Sequence, residues 1–403
     1  MGQTRRLVLG ALAAPFLAAA PAIRRARAAE EPVRIGALSD LSSAYADISG
    51  PALVKAVQMA IDDFGPCLGR KAELLAADCG LKPDVSSVIA RNWFDTQGVD
   101  AIIDMPSTAI TLAVMQLAAD KRRIVLATSA GSSDISGKHC SPYTSHWVYD
   151  SHAMARTIGP TIVKEGGDTW YFIAADYAFG AALVKDASDL VQASGGRVLG
   201  VSRAPLNTAD FSSYLLQAQA SGAKIITLAN GGADAVNAIK QAHEFGIQKG
   251  GQRIAALVLM DTDVRSIGLP TAQGTLLATA FYWDRTEATR AWSRRFHAMV
   301  GRMPTMLQAG AYSQATHYLK AVQAAGTKTP EAVMDKMRAL PVDDALVSGG
   351  RVRKDGLMIH PMYLARVKAP ADSRGTWDQL DIVATVPGDE AFRALDKGGC
   401  RLV

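Results

Sequence analysis

The sequence predicts an α/β protein made of two doubly wound lobes, and three observations support this fold class. Short β-branched runs alternate with helical patterns from Val33 onward. The same alternation starts again near Thr169, and a further group of helices follows it. With 403 residues, 49% of them hydrophobic and 20% charged, the chain is long and apolar enough for two domains with substantial cores.

The first series consists of four strands and three helices. The strands are VRIGALS, KAELLAADC, VDAIIDMP and RIVLATSA. The helices between them are SGPALVKAVQMAIDDF, which opens with Ser-Gly-Pro, VSSVIARNWFDTQ and ITLAVMQLAADKR. Strict alternation of this kind is typical of a parallel sheet covered by helices on both faces.

The second series repeats the pattern. Its strands are TWYFIAAD, RVLGVSRAPL, KIITLAN and RIAALVLM. Its helices are ALVKDASDLVQASGG, SSYLLQAQASG and ADAVNAIKQAHEFG. We therefore predict a second α/β lobe, with the first crossing between the lobes near Val148 to Ser151.

The closing third is less regular, and its first segment, GTLLATAFYWD, is predicted to be extended. Three helices follow, TRAWSRRFHAMVG, MLQAGAYSQATHYLKAVQAAG and PEAVMDKMRAL, and then two strands, MIHPMYLARVK and LDIVATVP. Helices this late indicate that the chain returns to complete the first lobe. Such a return produces several connecting segments and hence a hinge.

Residues 1–28 have the features of a twin-arginine signal peptide. Arg5 and Arg6 precede an apolar stretch, and Ala26-Arg27-Ala28 forms a small-x-small cleavage site. A membrane anchor is the alternative, but the apolar run is about a dozen residues, shorter than the roughly 20 that a spanning helix needs. We predict export to the periplasm with cleavage of this segment.

Export also changes the charge balance of the chain. The predicted signal peptide holds five of the 43 basic residues and none of the 38 acidic ones, so the mature chain carries 38 of each. A formally neutral protein has little to attract nucleic acid or an anionic membrane, and we expect neither as a partner.

The four cysteines are Cys67, Cys79, Cys140 and Cys400. In an exported chain they can form disulfides, and three complete pairings are possible. We predict Cys67–Cys79 and Cys140–Cys400, the second of which would hold the C-terminal tail in place. Metal binding is the weaker alternative because no C-x-x-C spacing or histidine pair is present.

The loops at the carboxyl ends of the predicted strands lack the common catalytic motifs. No phosphate loop, strand-following G-x-G-x-x-G, G-x-S-x-G elbow or H-E-x-x-H pair occurs there. Aspartates at strand ends could still assemble an acid–base pair, although such residues more often cap turns. An exported hydrolase with an unfamiliar site therefore stays open as an alternative.

The same loops are rich in hydroxyl groups. Ser107 and Thr108 follow one strand, and four Ser or Thr residues between positions 128 and 133 follow its neighbour. A helix beginning at about Ile110 would direct free N–H groups toward them, which suits a carboxylate without any cation. Helix capping is an equally good interpretation of each single hydroxyl.

The loops IGALSDLSSAYADISG, LATSAGSSDI and ADYAFG resemble the Leu/Ile/Val-binding family of periplasmic solute receptors. The resemblance covers the whole mature chain, and a subgroup is indicated by DYAFG, LLQAQASGAKII, AIKQAHEFGI, FYWD and GC-x-LV. It implies a type I periplasmic binding protein, with two Rossmann-like lobes joined by a three-segment hinge. The expected lobes are 32–149 plus 275–353 and 150–274 plus 354–403.

The resemblance also implies a function and a site. It implies a monomeric, non-enzymatic receptor without a cofactor, which works with an ABC permease and ATPase complex in the inner membrane. The implied ligand residues are Tyr45 as a covering ring, Thr108, Ser129 and Gly131 at a carboxylate, Tyr177 or Phe179 as a second-lobe ring, and Asn230, Gly232 and Thr262 near an ammonium. Ser107 is added from the hydroxyl pattern.

The acidic residue that would pair with an ammonium is displaced in this chain. MDTDV has Thr262 at that position, with Asp261 and Asp263 on either side. A strand-end turn can redirect either aspartate toward the ligand, so Asp261 is counted among the candidate ligand residues. The expected ligand is therefore a branched-chain or other apolar amino acid, and the alternative is an aromatic acid or amide. Strand alternation would send Tyr177 and Phe179 to one side as a lid, although either ring could instead pack into its own lobe. A sensory receptor of the same fold is a further alternative.

Overall fold

The computed structural model describes residues 1–2, 31–344 and 347–403. The predicted signal peptide therefore lies outside the described residues, apart from its first two. Within the described ranges, no helix combines the length and the apolar character needed to cross a bilayer. Pro32–Val403 form one compact unit that contains two large sheets.

The described part of the chain contains sixteen strands and thirteen α-helices. The strands are β1 (Arg34–Ser39), β2 (Pro66–Cys67), β3 (Arg70–Lys71), β4 (Glu73–Asp78), β5 (Ala101–Asp104), β6 (Ile124–Ala127), β7 (Thr144–His146), β8 (Thr169–Ala175), β9 (Arg197–Ala204), β10 (Ile225–Ala229), β11 (Arg253–Ala256), β12 (Leu276–Thr279), β13 (Arg351–Val352), β14 (Met358–Ile359), β15 (Met362–Val367) and β16 (Leu380–Val386). The helices are α1 (Gly50–Phe64), α2 (Pro83–Asp95), α3 (Thr108–Lys121), α4 (Ser151–Lys164), α5 (Ala178–Ala193), α6 (Ser212–Ala220), α7 (Ala233–Glu244), α8 (Asp261–Ile267), α9 (Leu269–Ala272), α10 (Glu287–Val300), α11 (Met306–Ala325), α12 (Pro330–Ala339) and α13 (Gly388–Ala391).

The first sheet has the order β4-β1-β5-β6-β7, and all its neighbours are parallel. Successive residues point to opposite faces, so Ile103 packs into the apolar cluster shared with α1 and α11, whereas Ile102 packs with Trp93 and Phe94 of α2. This arrangement confirms the predicted first series. Because the strands are parallel, the loops after β1, β5 and β6 meet at one edge.

The second sheet has the order β16-β15-β12-β11-β10-β8-β9. Strands β8 to β12 are parallel, and β15 and β16 are antiparallel additions. β12 pairs with both β11 and β15, so it belongs to this sheet and not to the first lobe, where the predicted boundary at residue 275 had placed it. The chain leaves the second sheet only after Thr279.

Three segments connect the two sheets. The first follows His146 of β7, the second follows Thr279 of β12, and the third precedes Met362 of β15. Two of them are hydrogen-bonded to each other, since Nε2 of His360 donates to the carbonyl of Val148 at 2.8 Å. Between the second and third crossings, helix α11 packs against α1 of the first lobe.

One predicted disulfide is confirmed and the other is wrong. Cys140 and Cys400 are bonded, with their Cα atoms 5.5 Å apart. Cys67 and Cys79 are free and buried, because Cys79 packs with the Trp93 cluster whereas Cys67 packs on the opposite face of the first sheet. Two cysteines on opposite faces of a sheet cannot approach within bonding distance.

The C-terminal tail returns from the second sheet to the first lobe. After β16 the chain passes α13, and Nη2 of Arg393 donates to the carbonyl of Ser133 at 3.0 Å. The Cys140–Cys400 bond then ties the tail to the loop that follows Ser133. The tail is thus covalently joined to the lobe opposite the one in which β16 lies.

Candidate ligand-binding site

A cavity lies where the strand-end loops of the two sheets face each other, with about 350 Å³ of empty space that includes its opening to solvent. Its lining residues are Tyr45, Ile48, Pro106, Thr108, Ser129, Gly131, Tyr149, Tyr177, Phe179, Gly231, Val258 and Leu307. Six of the predicted site residues are among them. The other five, Ser107, Asn230, Gly232, Asp261 and Thr262, are not in the lining.

Tyr45 is held by the loop that follows β1. The carboxylate of Asp40 accepts hydrogen bonds from the backbone N–H groups of Ser43, at 3.0 Å, and of Tyr45, at 2.7 Å. The ring is 5% exposed, and its hydroxyl is hydrogen-bonded to the hydroxyl of Tyr177 from the second lobe. Burial raises the pKa of Tyr45 to about 12, against the opposing effect of that bond, so the phenol is neutral.

Tyr177 and Phe179 reach the cavity by a different local geometry from the one predicted. β8 ends at Ala175, Tyr177 is the N-cap residue of α5, and Phe179 lies in the first turn of that helix. The rings are not alternate residues of a strand, but both line the cavity, with centroids 6.2 Å apart. The turn requires glycine at 180, because a Cβ there would lie 2.0 Å from the carbonyl oxygen of Ala175.

Tyr149 is a lining residue that sequence reasoning missed, although it lies within the predicted first crossing, Val148 to Ser151. Its hydroxyl donates to the carbonyl of Ser129 at 2.8 Å, and burial raises its pKa. Its ring packs so closely on Gly131 that a Cβ at position 131 would lie 2.3 Å from Cε2 of Tyr149 and 2.9 Å from Cε2 of Phe179. The cavity therefore has four aromatic residues, contributed by both lobes and a crossing segment.

Asp104 is a second residue that the sequence did not single out. It ends β5 with a φ of 86°, an uncommon backbone conformation for a residue other than glycine, and it is completely buried. Its Oδ1 accepts from the hydroxyl of Ser129, and its Oδ2 accepts from those of Ser39, at 2.5 Å, and Ser49. Burial raises the pKa of Asp104 to about 6, while these three hydroxyls oppose the shift.

Several buried polar atoms around the cavity have no hydrogen-bond partner. Oγ1 of Thr108 is one of them, and Thr108 is the first residue of α3, two positions earlier than the predicted start. Ser107 is the N-cap residue but makes no side-chain cap, so the first-turn N–H groups stay available to a ligand. Both polar atoms of the Asn230 side chain are also buried and unpartnered, next to the lining residue Gly231. Buried polar groups of this kind are usually satisfied by water or a ligand.

Residues 32–375 match the family model described as periplasmic binding protein. The chain belongs to that family. A solved periplasmic binding protein from Burkholderia mallei is 44% identical, with 92% of this chain and 99% of that chain covered and a TM-score of 0.89. A branched chain amino acid ABC transporter periplasmic ligand-binding protein from Burkholderia xenovorans LB400 is 41% identical over the same shares, with a TM-score of 0.84.

More distant relatives agree on the fold. The Leu/Ile/Val-binding protein homolog 8 of Brucella abortus (strain 2308) is 25% identical over 224 residues, 53% of this chain and 55% of the relative, so the match spans about half the length of that curated relative. A solute binding protein of an ABC transporter from Rhodopseudomonas palustris BisB5, solved with 3,4-dihydroxy benzoic acid, is 18% identical with a TM-score of 0.81, covering 89% of this chain and 98% of that chain. The predicted type I, two-lobed α/β fold is confirmed.

The second-lobe acids of this periplasmic binding protein are not brought to the cavity. Oδ2 of Asp263 accepts from the N–H of Met260 at 2.9 Å at the start of α8, and burial raises the pKa of Asp263 to about 6. Burial likewise raises the pKa of Asp261 to about 7, and neither residue lines the cavity. The predicted counter-charge from MDTDV is therefore absent from the cavity lining.

The lining of the binding protein's cavity suits enclosure more than reaction. It contains no charged side chain, and the hydroxyls of Tyr45 and Tyr177 are hydrogen-bonded to each other. Elsewhere in the described ranges, no group of three or more His, Cys, Asp and Glu residues is placed to hold a metal ion. Aromatic rings and a few hydroxyls are the groups with which small-molecule pockets orient an apolar ligand.

Proposed function

We propose that this protein captures a small apolar ligand bearing a carboxylate in the periplasm and delivers it to an ABC permease and ATPase complex. The observation that carries the proposal is a cavity whose walls come from both lobes. The hydrogen bond between the hydroxyls of Tyr45 and Tyr177 spans it. A ligand that contacts both walls stabilises the closed form and so shifts the population toward it. The permease would recognise that closed form.

The proposed motion is a rotation of two lobes about the three crossings. We assign residues 32–149 and about 280–360 to the first lobe, and the residues of the second sheet to the other. The hydrogen bond between the His360 ring and the Val148 carbonyl keeps the first and third crossings side by side. This arrangement suits a hinge rather than a flexible linker.

The proposed ligand is a branched-chain or other apolar amino acid. The unpartnered hydroxyl of Thr108 and the start of α3 suit a carboxylate, and the aromatic rings suit an apolar side chain. The name of the Burkholderia xenovorans relative supports this class. An aromatic acid or amide is the second candidate, favoured by the four aromatic residues and by the benzoate-type ligands of the Rhodopseudomonas palustris proteins.

The ligand is proposed to leave chemically unchanged, since the cavity lining offers no activated nucleophile. Cleavage after residue 28 and a monomeric mature protein complete the proposal. They are tested by mass spectrometry of the exported chain and by its sedimentation.

A thermal-shift screen of amino acids, their amides and aromatic acids tests the function. A ligand at 100 times its Kd should add about 2.7 kcal/mol of stability, and calorimetry then gives the affinity. The Tyr177→Ala/Phe179→Ala double variant is the control and should bind at least ~10-fold more weakly, because each ring buries apolar ligand surface. A screen without any stabilising compound, or recovery of a converted ligand, would contradict the proposal.

A further inference from the structure

The hydroxyl of Ser129 has a fixed direction of hydrogen bonding. A hydroxyl carries one proton, and an ionised carboxylate only accepts. Ser129 lines the cavity and donates its hydroxyl proton to Oδ1 of Asp104. Because that proton is already used, the hydroxyl oxygen has only lone pairs to offer a ligand. The resemblance had placed Ser129 at a ligand carboxylate, but an oxygen without a free proton repels a carboxylate.

We propose that Ser129, oriented by Asp104, is an accepting subsite that selects ligands presenting an N–H group, above all an ammonium. The inference rests on the proposed receptor function and specifies the chemistry of its ligand. Ser129 touches the ligand, and Asp104 is a positioning residue that acts through it. An amino acid would then place its ammonium at Ser129 and its carboxylate at Thr108.

The charges around the cavity favour a donor at this position. No lysine or arginine lines it, while Asp104 lies one hydrogen bond behind the wall. Asp40 and Asp234 act electrostatically on Tyr45, and Asp104 on Tyr149. A positive group among these acids, facing electron-rich rings, is attracted by both.

Asp104 also supplies what the second lobe lacks. Asp261 and Asp263 do not line the cavity, whereas Asp104 accepts a hydrogen bond from the side chain of the lining residue Ser129. The uncommon backbone at Asp104 fits this role, because a strained, buried ionisable residue is retained where surrounding contacts require it.

Calorimetry with two matched sets of compounds tests the subsite. One set is L-leucine, 3-methylbutylamine and 4-methylpentanoate, and the other is L-phenylalanine, 2-phenylethylamine and 3-phenylpropanoate. Each amine lacks only the carboxylate of its parent, and each acid lacks only the ammonium. In the native protein we expect the parent amino acid of the better-bound set to bind at least ~10-fold more tightly than the acid that lacks only its ammonium, because a hydrogen bond to a charged group is lost.

Asp104→Asn reverses the polarity with little change in shape. An Asn amide can donate to Oγ of Ser129, which frees the serine proton for the cavity, and the amine-to-acid affinity ratio should fall at least ~10-fold. Asp263→Asn is the matched control, because it makes the same change at another buried carboxylate. It should lower stability but leave the amine-to-acid affinity ratio within about 2-fold of the native value. Ser129→Ala, which should weaken the amine and spare the acid, serves if Asp104→Asn does not fold.

The outcomes separate the subsite from the receptor function. Binding of the acid by the native protein as tightly as its parent amino acid, or equal amine-to-acid affinity ratios in Asp104→Asn and the native protein, overturns the subsite while leaving a receptor. Binding of none of the six compounds overturns the subsite, whereas the proposed function is contradicted only if the wider thermal-shift screen also finds no ligand.

Discussion

The phenolic hydroxyls of Tyr45 and Tyr177 are hydrogen-bonded across the cavity, although 132 residues separate them and they follow strands of different sheets. One stands on the loop after β1 and the other caps α5. The contact requires the two lobes to face each other, so in the proposed lobe motion it belongs to the closed form. It therefore couples closure to the rings that cover the ligand.

Removing either hydroxyl should weaken ligand binding without damaging the fold. Tyr177→Phe and Tyr45→Phe keep both rings, and each should weaken binding by about 5-fold, the effect of one net hydrogen bond of about 1 kcal/mol. The double variant should be little worse than either single one, because both remove the same bond. Calorimetry of the four proteins measures this cycle, and fully additive losses would show that the contact does not contribute to closure.

Filling the space at Gly131 should block the cavity. In Gly131→Ala the new Cβ would meet the rings of Tyr149 and Phe179 at 2.3 and 2.9 Å, so a ring must move. We expect about 1 to 3 kcal/mol of destabilisation from overpacking, and at least ~10-fold weaker binding. Gly375→Ala is the control, since a Cβ there meets nothing within 4 Å. Thermal melts measure the loss of stability, and calorimetry measures the ligand affinity. Native-like affinity in Gly131→Ala would contradict the cavity assignment.

The cysteines should divide into one bonded pair and two inert thiols. Denatured without reductant, the protein should show two reactive thiols, Cys67 and Cys79, and four after reduction. In the native state both should react slowly, because burial raises the pKa of Cys67 to about 11 and that of Cys79 to about 12. Thiol titration measures all three states.

Breaking the Cys140–Cys400 disulfide should release the C-terminal tail from the first lobe. Cys140→Ser/Cys400→Ser should lower the free energy of unfolding by about 2 to 4 kcal/mol, since the bond closes a long loop. Cys67→Ser is the comparison that leaves the bond intact. An unchanged melting temperature in the double variant would show that the tail is held without the disulfide.

Asp104 should make stability depend on pH in a defined direction. Its pKa is about 6 in the folded protein and near 4 in the unfolded chain, so between these values the folded state holds the extra proton. Its contribution is complete below pH 4 and is lost as the pH rises through 6. Relative to Asp104→Asn, the native protein should therefore lose about 2 kcal/mol between pH 4 and 6 and only about 0.4 kcal/mol more above pH 6.

Urea denaturation of both proteins at several pH values measures this difference. The comparison cancels the contributions of groups that the two proteins share, among them the buried histidines, such as His146, whose pKa burial lowers. If the unfolding free energy of the native protein, relative to that of Asp104→Asn, rose with pH between 4 and 6, Asp104 would be ionised throughout this range in the folded state.

The order of strands and helices was predictable because each element carries its own period. Sheet strands buried on both faces leave continuous apolar runs, as in β8, and helices repeat apolar residues at 3.6-residue spacing. The membership of β12 was not predictable, since Leu276–Thr279 is an apolar run that would suit either sheet. Pairing partners are set by packing between distant segments.

The site was predictable where a local motif carries it. Tyr177 and Phe179 were identified from ADYAFG, yet the reason given for their common direction was wrong, because a helix begins at Ala178. Asp104 was missed, since nothing in VDAIIDMP separates a turn-capping aspartate from one surrounded by serines 25 to 65 residues away.

From sequence alone came the family, the two α/β series and six of the cavity residues, because these depend on local patterns. Tertiary structure alone decided that Cys67 and Cys79 stay apart, and that Asp104 is the acid hydrogen-bonded to the cavity residue Ser129, while Asp261 and Asp263 stay out of the cavity lining. These outcomes depend on the face of a sheet to which a side chain points and on which distant loops meet there. Such relations arise only when the whole chain packs.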